Sequence, residues 1–272
     1  MNELEFVKYA VAEDVGRGDL FSKVTQAVDT QAYIIAKSYG VLAGQRYVTC
    51  LQKLYDIEFS WVINDKTSFT KGQKLVQIKA DSHTLMALER TILNIILHAS
   101  SIATLTKSYV QKLEPYKTVL LDTRKTRPHL RRFEKYAVQC GGGVNHRMGL
   151  DDSLMLKDTH LKTIPNLKSF IAQARKKIPF TAKIEVECED FEGVKTAFAA
   201  GADIVMCDNM DNGLIQKVVE FRNAHYPHIL LEASGNVTLQ RVEEIAKTGV
   251  DAISTGATIH QANWIDLSMK VQ

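Results

Sequence analysis

The sequence predicts an α/β protein in which a small α+β region precedes a longer region of repeating β/α units. In the first part of the chain, strand-like segments alternate with short helical ones. Beyond residue 118 short apolar runs recur, and from residue 182 they begin about 21 to 25 residues apart, the length of one β/α unit. Six or seven such units are too few for an eightfold barrel. The periodicity therefore leaves open a partial barrel and a doubly wound open sheet.

The elements of the first region follow from composition and spacing. Helical spacing marks residues 45–55, and a longer helical pattern runs from Ser82 to Leu113, with a break expected near Ser100. Glycines at turns separate the strand-like segments. The predicted strands cover residues 31–38, 57–64 and 74–80.

The second region is more regular, because apolar runs and amphipathic helices alternate along it. The predicted strands cover residues 118–121, 154–156, 182–188, 203–207, 228–233 and 252–255. The predicted helices include residues 166–177, 191–200 and 239–248.

Composition narrows the possible functions. With 272 residues, 45% apolar and 24% charged, the chain has the make-up of a globular enzyme. A net charge of +3 argues against nucleic acid as the main partner. Four cysteines without a C-x-x-C motif, and an acidic amphipathic start instead of a secretory leader, indicate a reducing cytoplasm. The apolar runs are broken by charge, so we expect no membrane span.

Basic residues are concentrated in residues 122–160. This stretch carries eight Lys or Arg and three His against five acids. Two of its basic clusters follow predicted strands, where a cation is costly unless an anion satisfies it. The sequence therefore predicts a pocket for a small, highly anionic ligand.

In β/α folds ligands bind at the carboxyl ends of the strands, and six consecutive predicted strands end in suitable groups. Lys125 and Lys157 suit phosphate oxygens as compact cations. Glu187 and Asp208 offer the oxygen ligands that Mg²⁺ prefers. The glycine-containing turns after the late strands suit a phosphate group, since the backbone can come close there; their residues are Ser234, Gly235 and Gly256.

Each of these residues also has a plainer interpretation. Asp208 is equally well placed to be a helix N-cap, and Gly256 to be an ordinary turn glycine. Glu185 and Glu187 share one face of their strand, so one of them is a candidate for pairing with a neighbouring lysine. For the lysines, a solvated surface is the usual location.

Two further groups match recognition of carboxylates. Arg90 lies in a helix that is apolar on nearly all sides, so we expect it to be buried beside an anion that comes from a substrate, another subunit or a structural ion pair. His146 and Arg147 follow a Gly-Gly-Gly run, and a guanidinium can bind both oxygens of a carboxylate. The alternative for His146 is that it braces the loop. Cys207, beside Asp208, is interpreted as a buried, inert thiol in preference to a nucleophile.

These motifs closely resemble those of the quinolinate phosphoribosyltransferase family, also called nicotinate-nucleotide pyrophosphorylase (carboxylating). The resemblance extends from Glu13 to the last predicted strand. The matching segments, in order, are DTRKT, EKYAV-x-CGGG-x-NHRMGL, LKD-x-H, IEVE, GADIVM-x-DNM, LEASG and GVD-x-IS-x-GA.

The resemblance implies an N-terminal α/β sandwich domain with a linking helix over residues 1–106, and an incomplete α/β barrel over residues 107–272. It also implies a Mg²⁺-dependent reaction of quinolinate with phosphoribosyl pyrophosphate that gives nicotinate mononucleotide, pyrophosphate and CO₂, for NAD biosynthesis. The expected assembly is a homodimer in which one subunit's N-terminal domain covers the other's barrel.

The site residues that the resemblance implies fall into three groups. Arg124, His146 and Arg147 would hold the carboxylates of quinolinate, with Arg90 reaching in from the neighbouring subunit. Lys125 and Lys157 would contact carboxylate and phosphate oxygens, and Glu187 and Asp208 would lie near the ribose and the metal. The 5′-phosphate would be bound by Ser234, Gly235 and Gly256.

Four positions depart from the family pattern, and two other functions remain open. Ser101 and Asn236 stand where the family commonly has glycine, and Arg127 and His129 replace less charged residues. A phosphoribosyltransferase for another aromatic acid would need fewer arginines. A non-catalytic phosphosugar-binding protein would not need both carboxylates, Glu187 and Asp208.

Overall fold

The computed structural model describes all 272 residues, which form two compact units. The first unit comprises Met1–Lys107, Arg127–Gly142 and Gln261–Gln272. The second comprises Ser108–Thr126 and Gly143–His260. This division differs from the single boundary expected after residue 106, because two later segments pack within the first unit.

The helices and strands alternate along the whole chain. In the first half they are α1 (Glu3–Val15), β1 (Asp29–Ala36), β2 (Gly40–Val41), α2 (Gln45–Val48), β3 (Ile57–Trp61), β4 (Ser68–Phe69), β5 (Lys74–Asp81), α3 (Ser82–Leu113), β6 (Val119–Leu121) and α4 (Arg131–Cys140). In the second half they are β7 (Leu154–Leu156), α5 (Asp158–Leu161), α6 (Leu167–Ala174), β8 (Ile184–Cys188), α7 (Phe191–Ala200), β9 (Ile204–Asp208), α8 (Asn212–His225), β10 (Leu230–Ser234), α9 (Val242–Ala246), β11 (Ala252–Ser254), α10 (Ala257–His260) and β12 (Leu267–Val271).

The first unit is built on an antiparallel sheet with the strand order β12-β1-β5-β3. Along β1 the inward residues Ala32, Ile34 and Ala36 are buried and alternate with more exposed ones, as expected for a sheet with one covered face. The sequence analysis did not identify β12, which pairs with β1 from the far end of the chain. Helix α4 belongs to this unit too, since Phe133 stacks on Phe6 with ring centroids 4.8 Å apart.

Helix α3 is continuous over 32 residues, so the expected break near Ser100 is wrong. The Ser100 hydroxyl exchanges hydrogen bonds with the backbone of Ala43, and the Ser101 hydroxyl donates to Leu97 O within the helix. These serines are therefore satisfied without interrupting the helix. By length and composition α3 could span a membrane, but 67% of its most apolar window is buried within the protein, as in a core helix.

The second unit holds six parallel strands in the order β6-β11-β10-β9-β8-β7, and Val144 adds an isolated parallel bridge to Leu121. Strands that follow one another in the chain are neighbours from β7 to β11, and β6 pairs with the last of them. A doubly wound sheet would reverse its order at a switch point, and the strands β7 to β11 show no such reversal, which is compatible with an incomplete barrel. The predicted two-part α/β fold is confirmed.

The glycine run at residues 141–143 begins with a close contact inside the first unit. A Cβ on Gly141 would lie 2.4 Å from Ala103 O and 2.5 Å from Thr106 Cβ, both on α3. At this position glycine is needed because two backbones approach closely, although its φ of −80° is one that any residue adopts.

We predict that Gly141→Ala lowers the free energy of unfolding by at least about 2 kcal/mol, because the added methyl group overlaps backbone on α3. Gly213→Ala is the matched control, since a Cβ there meets only the Asp211 side chain, at 3.3 Å. The control should change stability by less than about 1 kcal/mol. Denaturant unfolding of both variants measures the difference, and equal stabilities would contradict the packing argument.

Candidate active site

The carboxyl ends of the six parallel strands surround a pocket of about 600 Å³. This size is in the range of small-molecule sites. Eight of the predicted site residues line it: Arg124, Lys125, Arg147, Lys157, Glu187, Asp208, Ser234 and Gly235. The convergence that the strand ends predicted is therefore present in the second unit.

Cationic side chains form one part of the pocket. Arg124 and Lys125 follow β6, where the Lys125 amide donates to the Thr123 hydroxyl at 2.9 Å. The Arg147 guanidinium donates to Ser153 O at 3.0 Å and lies 3.5 Å from Met155 Sδ. Burial lowers the pKa of Arg147, and the charge of Arg124 lowers it further. An anionic ligand would relieve this repulsion.

Carboxylates form a second part. Glu187 makes a short ion pair with Lys157, so the predicted pairing of a strand glutamate with a lysine holds, and both partners line the pocket. Asp208 ends β9 and accepts a hydrogen bond from the Asn209 side chain at 2.9 Å. The N-cap of α8 is Asp211, which accepts from Leu214 N. The interpretation of Asp208 as an N-cap is therefore wrong.

The turns after β9 and β10 meet at the pocket. Asn209, Gly235 and Asn236 all have positive φ, at 54°, 90° and 48°. A Cβ on Gly235 would lie 2.2 Å from the Asn209 side chain and 2.8 Å from its backbone nitrogen, so only glycine fits. Asn236 donates to Asn209 Oδ1 at 3.0 Å, and asparagine tolerates this conformation better than most residues. Gly256 is buried, and a Cβ there would meet Lys125 Cβ at 3.1 Å.

The sequence analysis missed several residues that line the pocket. Asn209 directly follows Asp208, and its position at a strand end was the available signal. Ser254, the last residue of β11, is 2% exposed and its hydroxyl has no hydrogen-bond partner in the chain, so it can bond a ligand. The remaining lining residues are Thr123, Met155, Met206 and Asn236.

His146 is not among the lining residues, although its neighbour Arg147 is. Its Nε2 lies 3.2 Å from Glu185 Oε2 and 3.3 Å from Glu232 Oε2, and its Nδ1 accepts a hydrogen bond from the Arg147 amide at 2.7 Å. Burial acts to lower the pKa of His146, but the two carboxylates together raise it above its ordinary value. Because Nδ1 accepts a hydrogen bond, the ring proton lies on Nε2 and faces the two carboxylates. The ring is therefore positioned beside the loop and outside the pocket lining.

The expectation that Arg90 is buried is wrong. Its side chain is 66% exposed and lies 3.5 Å from the side chain of its neighbour Glu89. One side of α3 faces solvent at this position, although its sequence is apolar on nearly all sides. Arg127 belongs to the first unit and pairs with the buried Glu134 at 2.6 Å.

The cysteine interpretation agrees with the structure. Cys207 is fully buried on β9, and burial raises its pKa to about 12. Cys188 lies beside it on β8, and burial raises the pKa of that thiol to about 12 as well. Neither forms a thiolate at neutral pH, so neither is a nucleophile.

Comparison with known proteins accounts for the whole chain. The model of the quinolinate phosphoribosyl transferase C-terminal domain matches residues 102–270, and that of the N-terminal domain matches residues 19–100. A probable nicotinate-nucleotide pyrophosphorylase [carboxylating] from Synechocystis is 39% identical over 96% of this chain and 90% of its own length. A second, from Bacillus subtilis, is 36% identical over 100% of this chain and 95% of its own.

The solved structures agree. The nicotinate-nucleotide pyrophosphorylase from Francisella tularensis superposes with a TM-score of 0.92 at 36% identity, over 99% of this chain and 96% of that one. The enzyme from Pyrococcus furiosus is only 16% identical, with a TM-score of 0.72, and shares the fold. On its sequence, its two matched domains and its fold, this chain belongs to the quinolinate phosphoribosyltransferase family.

Proposed function

We propose that the chain transfers a phosphoribosyl group from phosphoribosyl pyrophosphate to quinolinate, with loss of CO₂, in de novo NAD biosynthesis. The observation that carries the proposal is the pocket itself, in which Arg124, Arg147 and Lys157 converge with two carboxylates. Quinolinate has adjacent carboxylates, so fixed guanidinium groups are suited to orient its nitrogen toward C1 of the sugar. The names of the curated relatives state the same chemistry.

The roles of the remaining residues follow from their chemistry. Lys125 and Lys157 would bind the anionic oxygens of the substrates as mobile point charges. Ser234, Gly235 and Gly256 would receive the 5′-phosphate; the first two line the pocket, and Gly256 lies against the pocket residue Lys125. Loss of pyrophosphate leaves positive charge at C1, which Glu187 and Asp208 would stabilise electrostatically. No protein nucleophile is needed for these steps.

The donor set also fits Mg²⁺. Glu187 and Asp208 line the same pocket and present carboxylate oxygens, which Mg²⁺ prefers. These two residues would hold the ion, which would neutralise charge on the departing pyrophosphate.

We further propose a homodimer and a cytoplasmic location. The exposed Arg90 guanidinium is available to bind an anion outside its own helix, which supports a role in a partner's site. The four cysteines are all free thiols, in agreement with a reducing compartment.

The direct test is an assay with purified protein, quinolinate and phosphoribosyl pyrophosphate. We expect CO₂ and pyrophosphate to appear in equal amounts. Nicotinate in place of quinolinate should give neither product at a comparable rate. Turnover of nicotinate but not quinolinate would favour the other phosphoribosyltransferase, and binding of phosphoribosyl pyrophosphate without turnover of either acid would favour a binding protein.

Arg147→Ala should raise the KM for quinolinate about 10- to 100-fold, since charge-assisted hydrogen bonds to a carboxylate are lost. Steady-state kinetics with each substrate varied in turn measure this. Arg175→Ala is the control, because Arg175 pairs with Asp203 and does not line the pocket. An unchanged quinolinate KM in Arg147→Ala would remove Arg147 from the substrate site.

Removal of divalent ions should abolish turnover. We expect EDTA to stop pyrophosphate release and excess Mg²⁺ to restore it, because the pyrophosphate charge is otherwise left unneutralised. Asp208→Asn should need more Mg²⁺ for half-maximal rate. Full activity after verified metal removal would contradict the proposed ion.

Mixing two inactive variants tests the shared site. If Arg90 acts on the partner's pocket, dimers that combine Arg90→Ala with Lys157→Ala have one pocket with both residues intact. Random exchange should restore about a quarter of wild-type activity, because half of the dimers are mixed and each has one working site. Absence of recovery after exchange shown by native mass spectrometry would argue that Arg90 acts within its own chain or not at all.

A further inference from the structure

Two buried glutamates lie further inside the second unit than the residues that line the pocket. Glu185 and Glu232 are 1% and 2% exposed, and acids are rarely buried so completely without a partner. Glu185 precedes the pocket residue Glu187 by two positions, and Glu232 precedes Ser234 by two. Residues two apart on a strand share a face, so both carboxylates lie on the inner face that carries the pocket.

The two carboxylates converge on the ring of His146. Nε2 is 3.2 Å from one and 3.3 Å from the other, although β9 separates β8 from β10 in the sheet. Neither oxygen of Glu185 makes a hydrogen bond within the chain, and neither does Oε1 of Glu232. Each glutamate therefore meets the ring through the close contact of its Oε2 with Nε2. The His146 side chain is itself only 11% exposed.

The opposite edge of the ring is bonded to the backbone of Arg147. Nδ1 accepts the Arg147 amide proton at 2.7 Å, and the His146 amide donates to the buried carboxylate of Asp122 at 2.9 Å. The ring therefore links the acid pair to the residue whose guanidinium lines the pocket.

This geometry distinguishes a proton from a metal ion between the acids. His146, Glu185 and Glu232 present ligand atoms within 4.8 Å of one another, which would suit a metal by distance alone. However, Nδ1 accepts a hydrogen bond, so the ring proton lies on Nε2. A protonated nitrogen has no lone pair for a metal, and the proton points to the carboxylates.

We propose that Glu185 and Glu232 are positioning residues for quinolinate: they hold the His146 ring, and the ring fixes the backbone that aims Arg147 into the pocket. The inference rests on the proposed function and adds to it two residues that do not line the pocket. Glu185 also favours the charged form of Arg147 electrostatically, so its loss should weaken quinolinate binding for this reason too.

The test uses Glu185→Gln and Glu232→Gln in the full chain, because glutamine keeps the size but not the charge. We expect each variant to raise the KM for quinolinate on the order of 10- to 100-fold, since a small displacement of a substrate-binding group costs that much. The KM for phosphoribosyl pyrophosphate should change less than about twofold, because its ligands are not displaced. Glu220→Gln, at an exposed position on α8, is the control.

Similar increases in the KM values for both substrates would overturn the positioning role. So would a quinolinate KM that is the same in the wild type and both variants. Glu232→Asp should recover part of the quinolinate affinity lost in Glu232→Gln, whereas a purely structural role would make the shortened side chain worse than glutamine. Wild-type protein that does not turn over quinolinate would refute the proposed function, which separates that failure from this one.

Nitrogen-15 NMR of the histidine rings in the wild type tests the geometry even if a variant does not fold. A proton on Nε2 of His146, assigned with His146→Asn, supports the inference, and a bare Nε2 overturns it. Elemental analysis gives a further check: a stoichiometric transition metal in the wild type that is absent from Glu185→Gln would show a metal site instead.

Discussion

The parallel pairing of the strands β6 to β11 is the constraint on which the site depends. In a parallel sheet every strand ends at the same edge, so residues that are far apart in sequence are brought together there. Arg124 follows β6 and Ser234 ends β10, yet both line one pocket. The chemistry of the site is thus a consequence of strand direction, and the loops only refine it.

Placing several cations at one edge of the sheet has an electrostatic cost, and acidic side chains further inside the unit offset it. The buried acids Asp122, Glu185 and Glu232 lie behind the residues that face the pocket, and Glu187 pairs directly with Lys157. Glu185 favours the charged form of Arg147, and Ser153 O holds its guanidinium before a ligand arrives. Preorganisation of this kind is what electrostatic catalysis requires, since little reorganisation is then needed during the reaction.

Much of the fold and site could be predicted because it depends on local pattern. The strands at residues 154–156 and the helix at 191–200 were placed correctly, since apolar periodicity reports burial directly. The expected break near Ser100 and the burial of Arg90 were wrong for one reason. Both depend on which distant backbone or solvent a helix face meets, and that information is not in the helix itself. The depth of Glu185 was equally hidden, because it shares a face with Glu187.

The two adjacent thiols of Cys188 and Cys207 have a practical consequence. They pair across β8 and β9 on the face of the sheet opposite to the pocket residues Glu187 and Asp208, and burial raises their pKa values to about 12. Electrophilic drugs and peroxide both react with thiolates, so neither is expected to modify Cys188 or Cys207. An inhibitor of this pocket should therefore rely on anionic groups that bind Arg124 and Arg147, because no thiol lines the pocket for covalent attack.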